Sequence, residues 1–402
     1  MLQGKTVLLG VTGGIAAYKM PNLARMLKKL HCNVHVLMTE NAANFITATT
    51  FETLTGNKCL IDTFDRNFEF SVEHVALAKQ ADLVLVAPAT ANVIGKVANG
   101  IADDMLTTTV MACTCKTLIA PAMNHNMYHN PIVQGNIQKL ERLGYGIIPP
   151  DSGMLANGDM GDGRMPAESV LLEYVLRELA LEKDWKGKRV LVTAGATREA
   201  IDPVRFITNH STGKMGYAIA KMAMLRGADV TLVTGAATVE PPMFVQVVQA
   251  VSAQDMYEAV TSLAPGMDLI VKAAAVADYR PAQAAADKIK KSEGMANISL
   301  ERTQDILAEL GQKKQAGEIK AFLCGFSMET QDLEKNSRAK LEDKHVDMIA
   351  ANNLKVPGAG FGVDTNVITL FTKDGARELG QMTKEMAANE ILDEVKIRIK
   401  IR

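Results

Sequence analysis

The feature that most constrains the fold is a pattern that occurs twice: a short apolar run, a glycine-containing turn and a helical segment. It occurs first at residues 5–19 (KTVLLGVTGGIAAYK) and again from residue 189 onward (RVLVTAGAT). Glycines at such a turn let backbone N–H groups approach a phosphate at the start of the helix. We therefore expect two nucleotide-type folds, each with its own phosphate site.

Short apolar runs alternate with longer segments of helical periodicity along the chain. The runs are rich in Val, Ile and Leu without strict alternation, which is typical of strands buried on both faces. We predict helices between them, for example at 15–30 and 216–226, which indicates an α/β fold with doubly wound, mainly parallel sheets. The predicted strands cover residues 6–10, 34–38, 83–87, 117–120, 189–193, 229–233, 269–275, 321–325 and 367–371.

A domain boundary is visible near the middle of the chain. A charged helical segment at 169–181 leads into a polar bridge at 182–188, after which the strand–glycine pattern restarts. The 402 residues are about twice the length of an ordinary domain. We predict domains at 1–188 and 189–402. Glycine-rich stretches at 149–166 and 356–365 are either binding loops or surface connections.

Composition excludes several classes of function. The net charge of −1 and the lack of a Lys/Arg run argue against nucleic-acid or anionic-membrane partners. The five cysteines are an odd number spread along the chain, which favours reduced thiols; a zinc site at Cys113 and Cys115 is the alternative. The N-terminal apolar run is too short for a signal sequence, and we expect a cytoplasmic protein.

In the first half, polar residues follow three predicted strands. The first glycine turn lacks the G-x-G-x-x-G spacing, which favours a mononucleotide over a dinucleotide. Segments 87–92 and 120–128 lie at carboxyl ends of strands, where α/β sheets bind ligands. His74 precedes a helical stretch and is either a structural residue or an acid/base that converges with these loops.

These segments resemble the flavin-dependent cysteine decarboxylases. The motifs are TGGIAAYK (12–19), PATAN (88–92), ADDMLTT (102–108) and PAMNHNMY (121–128). Together with GD (158–159) and GRM (163–165) they resemble the phosphopantothenoylcysteine decarboxylase branch. In that family FMN oxidises the cysteine-derived thiol, CO2 leaves from the thioaldehyde, and hydride returns to the ene-thiol. The resemblance implies a flavodoxin-like domain that holds FMN.

The resemblance also implies individual roles. His74 would act beside the thiol and flavin, Asn124 would orient the substrate carboxylate, and Met127 completes that motif. A neutral Asn suits a carboxylate that must leave as CO2. Residues around FMN would be Gly13, Gly14, Ile15, Thr39, Pro88, Ala89, Thr90 and Asn92, and the substrate loop would contribute Gly158, Asp159, Arg164 and Met165.

One departure from the family concerns the proton donor. The family's substrate loop carries Ala-Cys-Gly-Asp, whose Cys protonates during reduction of the ene-thiol, whereas this chain has Asn157 at that position. A carboxamide does not donate a proton in this way near neutral pH. Either the final reduction is slow, through a natural or an engineered substitution, or another donor replaces the Cys. Met160 and Asp162 lie in the same loop.

In the second half, the turn at 192–198 is followed by DPVRFITNHSTGKMG (202–216), a polar stretch that precedes a helix. Such a stretch offers phosphate donors or simply caps the helix. Lysines at 288–291, 340 and 344 are either a polyphosphate site or solvated surface. The chain has no G-x-x-x-x-G-K-[ST] motif, which argues against a P-loop enzyme.

These segments, with AAAVADYR (273–280), KIKK (288–291) and GFSMET (325–330), resemble phosphopantothenate–cysteine ligases. The resemblance implies a Rossmann-like domain in which CTP and Mg2+ activate the phosphopantothenate carboxylate as an acyl-cytidylate, which the cysteine amine attacks. Lys288 would support cytidylate formation and Asn209 would act on the acyl-cytidylate. CTP contacts would come from Lys272, Ala273, Ala274, Asp278, Phe326, Lys340 and Lys344.

Gln304 is a smaller departure, because the family usually has Pro there and Pro fixes φ. The combined resemblance implies a bifunctional enzyme of coenzyme A biosynthesis, and a homo-oligomer, a dodecamer, built from trimer and dimer contacts. The alternatives are a flavin prenyltransferase relative with an unrelated second domain, and an FMN-binding regulatory subunit with an inactive decarboxylase half.

Overall fold

The computed structural model describes residues 1–63, 73–154, 158, 160–290, 297–329, 332–353, 360 and 362–400. It divides into two compact units, Met1–Leu181 and Glu182–Arg402. Both have the α/β architecture with mainly parallel sheets that we predicted. The bridge 182–188, which we assigned to the first domain, lies in the second unit, where Trp185 is fully buried and its backbone N–H donates to Arg226 O at 3.0 Å.

The first unit alternates strands and helices, with 3₁₀-helices at Ile15–Lys19 and Glu40–Asn44. Its strands are β1 (Thr6–Val11), β2 (Asn33–Met38), β3 (Leu83–Ala89), β4 (Lys116–Pro121), β5 (Gly146–Ile147), β6 (Asp151–Met154) and β7 (Met160–Arg164). Its α-helices are α1 (Met20–Lys29), α2 (Ala48–Thr55), α3 (Glu73–Gln80), α4 (Ala91–Ala98), α5 (Met105–Ala112), α6 (His125–Tyr128), α7 (Pro131–Arg142) and α8 (Glu168–Leu179).

The main sheet of the first unit has the order β2-β1-β3-β4-β5, and all neighbours are parallel. Every residue of β1 and β3 is buried, as their unbroken apolar runs predict. The order 2-1-3-4-5 reverses direction between β1 and β3, and open α/β sheets bind ligands at such a switch point. The loops that follow β1 and β3 therefore form the expected crevice.

The second unit also alternates strands and helices. Its strands are β8 (Arg189–Ala194), β9 (Arg198–Ala200), β10 (Phe206–Thr208), β11 (Asp229–Thr234), β12 (Gln246–Gln249), β13 (Leu269–Lys272), β14 (Tyr279–Pro281), β15 (Leu300–Arg302), β16 (Phe322–Glu329), β17 (Met348–Asn353), β18 (Thr365–Asn366), β19 (Ile368–Thr372), β20 (Gly375–Glu378) and β21 (Met382–Thr383). Its α-helices are α9 (Lys214–Leu225), α10 (Ala253–Leu263), α11 (Ile306–Gln315), α12 (Leu333–Asp343) and α13 (Lys384–Arg398).

The main sheet of the second unit has the order β12-β11-β8-β13-β16-β17-β19-β20. The pairs from β12 to β17 are parallel, and β19 and β20 add an antiparallel edge. The parallel part has the 3-2-1-4-5-6 order of dinucleotide-binding folds, with its switch point between β8 and β13. Gly216 allows α9 to approach this sheet, because a Cβ there would lie 2.6 Å from the Cβ of Ala194.

Each predicted strand overlaps an observed one, with two differences in extent and pairing. The predicted run 269–275 ends at Lys272, and β19 pairs antiparallel to its neighbours. The stretch 149–166 contains the antiparallel hairpin β6–β7 rather than a structureless loop. None of the helices in the described ranges combines the length and apolar character that a membrane crossing requires.

Candidate active sites

In the first unit, the turn after β1 is joined directly to the turn after β3. Thr12 is fully buried, and its hydroxyl donates to Pro88 O at 2.6 Å and accepts from the Thr90 N–H at 3.1 Å. The Ala87–Pro88 peptide bond is cis. Thr90 caps α4 by accepting from the Val93 N–H at 3.4 Å, while Asn92 in the first turn is exposed. The structure therefore brings the glycine turn after β1 and the segment 87–92 at the end of β3 together, as the sequence predicts.

The glycine turn leaves room for a ligand on one side only. A Cβ on Gly13 would lie 2.5 Å from the Cβ of Asn41, so this residue must be small for the turn to pack against the 3₁₀-helix Glu40–Asn44. Around Gly14 the nearest atoms, on Thr90 and Pro88, would be 3.7 and 3.9 Å from an added Cβ. Ile15 is 56% exposed, and Thr39 is buried as the cap of the 3₁₀-helix. This cradle fits the phosphate end of a mononucleotide.

Asn124 stands at the start of α6, after β4. Its Oδ1 accepts from the Asn126 N–H at 2.9 Å, which leaves its NH2 group as the free hydrogen-bonding part of the side chain. Met127 on the same helix is 49% exposed. The β6–β7 hairpin is docked on this turn, because the Met123 N–H donates to Gly163 O at 3.0 Å.

The other predicted residues of the first unit make fewer contacts with the glycine turn and the start of α6. His74 is half-buried on α3, which packs against α5. Arg164 on the hairpin lies 3.6 Å from the carboxylate of Asp151, and Met165 is buried. Gly158 is exposed with a φ of 87°. Asn157 and Asp159 lie outside the described residues.

A cluster that we did not predict connects α6 to the hairpin. Nε2 of His129 lies 3.0 Å from Oδ2 of Asp162, and the N–H of Asp162 donates to Nδ1 of His125 at 3.2 Å. The Ser152 hydroxyl donates to Oδ1 of the same carboxylate. The Ser152 hydrogen bond, followed by the His129 ring, lowers the pKa of Asp162, so this carboxyl group is ionised at neutral pH.

In the second unit, a cavity of about 740 Å³ opens at the switch point between β8 and β13. Its walls combine the glycine-rich start of α9, the segment after β13 and the carboxyl end of β16. This is the place where the strand order predicts a ligand crevice. Among the residues that line it are these, all predicted from the sequence: Asn209, Lys272, Ala273, Ala274, Asp278, Phe326, Lys340 and Lys344.

Hydrogen bonds from backbone N–H groups fix the segment after β13 against β8 and the turn that follows it. The Ala274 N–H donates to the Thr193 hydroxyl at 3.1 Å, and the Ala275 N–H donates to Gly195 O at 2.9 Å. The side-chain NH2 of Asn209 donates to Ala275 O at 3.2 Å. Asn209, which comes from a distant loop, is thereby held at the mouth of the cavity.

The cavity contains a concentration of positive charge. Burial lowers the pKa of Lys272 from 10.5 to about 8, although the nearby Asp305 carboxylate acts in the opposite direction. Lys340 donates to the Ser327 hydroxyl at 3.1 Å, and Lys344 pairs with Asp305 at 2.5 Å. Burial raises the pKa of Asp305, but the Lys344 ammonium and the Ala308 N–H outweigh it and hold the pKa below the usual range.

Lys288 differs from these residues, because it is exposed and is not among the lining residues in the described part of the chain. Its neighbour Ile289 is nevertheless fixed: the Ile289 N–H donates to Asp202 at 3.2 Å, and its carbonyl accepts from Arg205 at 2.8 Å. Asp202 is 3% exposed and forms an ion pair with Arg205. The motif 202–205 thus anchors the backbone next to Lys288.

Several cavity residues were not predicted individually as site residues. Lys214 follows the glycine-rich turn, and Lys384 begins α13, 175 residues after Asn209, the first cavity residue in the sequence. Asn352 on β17 is 4% exposed, and its Oδ1 has no hydrogen-bond partner among the described residues. A buried acceptor without a partner is rare in folded proteins. The adjacent asparagine pair in the sequence was the only signal for this residue.

Comparison with known proteins assigns both halves of the chain. Residues 1–180 match the family model "Flavoprotein", and residues 185–398 match "DNA/pantothenate metabolism flavoprotein C-terminal domain". The coenzyme A biosynthesis bifunctional protein CoaBC of Bacillus subtilis is 47% identical over 399 residues, which covers 98% of this chain and 97% of that protein. The Escherichia coli K12 counterpart is 39% identical over 400 residues, with 99% and 98% covered.

The solved structures include a C-terminal domain of a coenzyme A biosynthesis bifunctional protein CoaBC. It is 43% identical to this chain, covers 55% of this chain and 99% of its own, and superposes with a TM-score of 0.47.

Proposed function

The chain belongs to the family of bifunctional coenzyme A biosynthesis proteins, which join a phosphopantothenoylcysteine decarboxylase to a phosphopantothenate–cysteine ligase, and from this premise we propose a mechanism for each half. The second unit joins 4'-phosphopantothenate to L-cysteine at the expense of CTP. The first unit decarboxylates that product. The observation that carries the ligase proposal is the cavity at the β8–β13 switch point, where Lys272, Lys340 and Lys344 surround space for a nucleotide.

In the ligase reaction, the substrate carboxylate attacks the α-phosphorus of CTP, and pyrophosphate leaves. Lys272, Lys340 and Lys344 offset the charge that develops on the triphosphate. Mg2+ usually keeps several waters and takes one or two carboxylates together with phosphate oxygens. Asp278 fits this role as a cavity carboxylate, and the cation would stabilise the leaving pyrophosphate.

The amide bond forms in a second step, in which the cysteine amine attacks the acyl carbon and CMP leaves. The side-chain NH2 of Asn209 donates to Ala275 O, which holds Asn209 beside the segment after β13. Its Oδ1 remains available to a substrate donor. Lys288 precedes Ile289, whose backbone is held by Asp202 and Arg205. We assign Lys288 to the first step, in which the acyl-cytidylate forms.

In the decarboxylase half, FMN would accept hydride from the substrate and return it. The groups that would hold that cofactor lie at the β1–β3 switch point, where the turn at Gly13 and Gly14 would accept its phosphate. Asn124 presents its NH2 group, the part that the helix cap leaves free, to the carboxylate that leaves as CO2. His74 takes the thiol proton as oxidation begins.

Asn157 determines how far this second reaction proceeds. A carboxamide does not supply the proton that accompanies reduction of the ene-thiol. We therefore propose that oxidation and CO2 loss occur once per bound flavin, and that the ene-thiol remains while the two electrons taken from the substrate stay on the flavin. An FMN-binding regulatory subunit remains the competing function for the first half, and the same residue favours it.

The test is mass spectrometry of the products formed from phosphopantothenate, cysteine, CTP and Mg2+, with the Asn157→Cys variant as the matched comparison. We expect phosphopantothenoylcysteine and an ene-thiol from the parent chain, and 4'-phosphopantetheine from the variant. If the parent chain forms 4'-phosphopantetheine equally fast, the stalled reduction is wrong. If both proteins stop at phosphopantothenoylcysteine, the regulatory function is favoured. Equal product with ATP contradicts the CTP assignment.

A further inference from the structure

Two histidines and one carboxylate of the first unit converge where α6 meets the β6–β7 hairpin. One ring nitrogen each of His125 and His129 and one carboxylate oxygen of Asp162 all lie within 4.8 Å of one another. The two rings are one helical turn apart, with centroids separated by 4.4 Å. Paired histidines at positions i and i+4 on one helical face are a recurrent arrangement for binding zinc.

The hairpin reaches these rings because two of its residues have no side chain. A Cβ on Gly161 would lie 2.7 Å from Nδ1 of His125, and a Cβ on Gly163 would lie 2.3 Å from Met123 O. Gly163 also has a φ of 121°, which L side chains rarely adopt. The backbone of β7 is therefore in direct contact with the α6 region, and this contact fixes where Asp162 stands.

The donor set matches one class of ligand. Imidazole nitrogen suits Zn2+, Cu2+, Ni2+ and Fe2+, and a carboxylate completes the two-histidine, one-carboxylate set that these metals use. Ser152 donates to the second oxygen of Asp162, the kind of hydrogen bond that orients a ligating carboxylate. Tetrahedral zinc separates its ligands by roughly 3.4 Å, given bonds of about 2.1 Å. His129 and Asp162 already have similar spacing, at 3.0 Å.

We propose that His125, His129 and Asp162 bind a divalent transition-metal ion of the zinc type, which links the β6–β7 hairpin to α6. The cation takes the place of two contacts of Asp162: the 3.2 Å hydrogen bond from its N–H to Nδ1 of His125 and the 3.0 Å contact between its Oδ2 and Nε2 of His129. The side chains of His129 and Asp162 are 48% and 40% exposed, so the ion enters from solvent and keeps water in its remaining coordination positions. None of the three ligands is a residue to which the proposed reactions assign a role.

The experiment titrates the full-length, untagged chain with Co2+, followed by its visible absorption, and then displaces Co2+ with Zn2+. We expect one ion per chain in this unit and at least a tenfold loss of affinity in His129→Ala and in Asp162→Asn. Ser152→Ala removes only the orienting hydrogen bond, and we expect about a tenfold loss. His31→Asn changes an exposed histidine of the same unit and should bind Co2+ as the parent does.

Hydrogen exchange of the hairpin gives a second readout that does not depend on activity. Zn2+ should slow amide exchange at 151–154 and 160–164 in the parent and in His31→Asn, but not in His129→Ala. The proposal is overturned if Co2+ binds equally to the parent, His129→Ala and Asp162→Asn, or if no binding occurs at all. In that case the cluster is a hydrogen-bonded contact between helix and hairpin only.

Discussion

The hydroxyl of Thr12 donates a hydrogen bond to the carbonyl oxygen of Pro88 at 2.6 Å, across the β1–β3 switch point of the first unit. The same hydroxyl accepts from the Thr90 N–H at 3.1 Å. One buried side chain thus fixes the spacing between the turn that would hold the FMN phosphate and the segment that follows β3.

Replacing Thr12 with Val should therefore weaken both the fold and flavin binding. Valine has the shape of threonine but leaves the Pro88 carbonyl and the Thr90 N–H without this partner, which costs about 1–3 kcal/mol for a buried group. We expect the free energy of unfolding to fall by that amount and FMN occupancy of the purified protein to fall with it. Chemical denaturation and the flavin-to-protein absorbance ratio measure the two effects.

Thr12→Ser is the matched control, because it keeps the hydroxyl and removes only a methyl group. It should retain most of the flavin. Equal flavin loss in the Ser and Val variants would mean that packing of the methyl group, rather than the hydrogen bond, positions the two loops.

Because of Lys272, both the free energy of unfolding and the CTP affinity of the ligase half should change with pH in the alkaline range. Burial lowers the pKa of Lys272 to about 8 from 10.5, so the unfolded chain binds more protons between these values. The free energy of unfolding should therefore rise with pH across this window, while the cost of the buried charge is fully present below pH 8. The triphosphate of bound CTP favours the charged lysine, so nucleotide binding should take up a proton above pH 8 and weaken as pH increases.

Calorimetry of CTP binding in two buffers of different ionisation enthalpy measures this proton uptake. Lys272→Arg is the control, because a guanidinium keeps its charge throughout the range. Its nucleotide affinity should stay flat between pH 7.5 and 9.5, values chosen to bracket a pKa of about 8. Proton uptake of the same size in the Arg variant would assign the titration to another group.

The parallel sheets could be predicted because their strands are continuous runs of Val, Ile and Leu. β17, by contrast, was missed although it lies inside the second sheet, since its sequence MIAANN contains few residues that favour strands. The hairpin β6–β7 was missed for a similar reason: Gly153, Gly161 and Gly163 read as loop residues. They are glycines because the hairpin backbone packs closely on other atoms, which no local pattern reveals.

The sites follow the same division. Residues at or just beyond the carboxyl ends of parallel strands lie at the ligand-binding edge of their sheet by topology alone. The positions of Pro88, Asn124 and Lys272 could therefore be predicted from strand order and family motifs. Lys384 enters the cavity from the start of α13, and Asp162 meets two histidines through tertiary docking. Such contacts between distant residues depend on tertiary packing, and the sequence carries no periodic signal for them.

Asp202 should act on the ligase reaction through the backbone next to Lys288. Its buried carboxylate accepts from the Ile289 N–H and from both backbone and side chain of Arg205. Asn in its place presents an NH2 group to some of these donors and loses the charge that pairs with Arg205. We expect Asp202→Asn to slow CTP-dependent pyrophosphate release by roughly tenfold or more, on the order of 1.4 kcal/mol or above.

A double-mutant cycle with Lys288→Ala separates positioning from a general loss of structure. If Asp202 works through Lys288, the double variant should be no slower than Lys288→Ala alone. Glu301→Gln, which breaks an exposed ion pair with Arg280 in the same unit, should stay within about twofold of the parent. Fully additive losses in the cycle would contradict the positioning role.

Replacing Asn352 with Leu should leave stability unchanged or raise it, while it weakens binding of a ligase substrate. Its buried Oδ1 has no partner among the described residues, and it lines the ligase cavity, so it costs stability until a substrate donates to it. Replacing a buried, unpaired polar group with an apolar one of similar size is neutral or stabilising. We expect Asn352→Leu to unfold at the same or higher denaturant concentration, yet to raise the KM of one ligase substrate about tenfold.

Asn389→Leu is the matched control, because Asn389 on α13 also has a buried Oδ1 without a partner in the described part of the chain but is not among the cavity residues described there. It should change stability in the same direction and leave every KM unaltered. An unchanged KM in Asn352→Leu would mean that its carboxamide meets no substrate, and the three substrates tested separately identify which one supplies the donor.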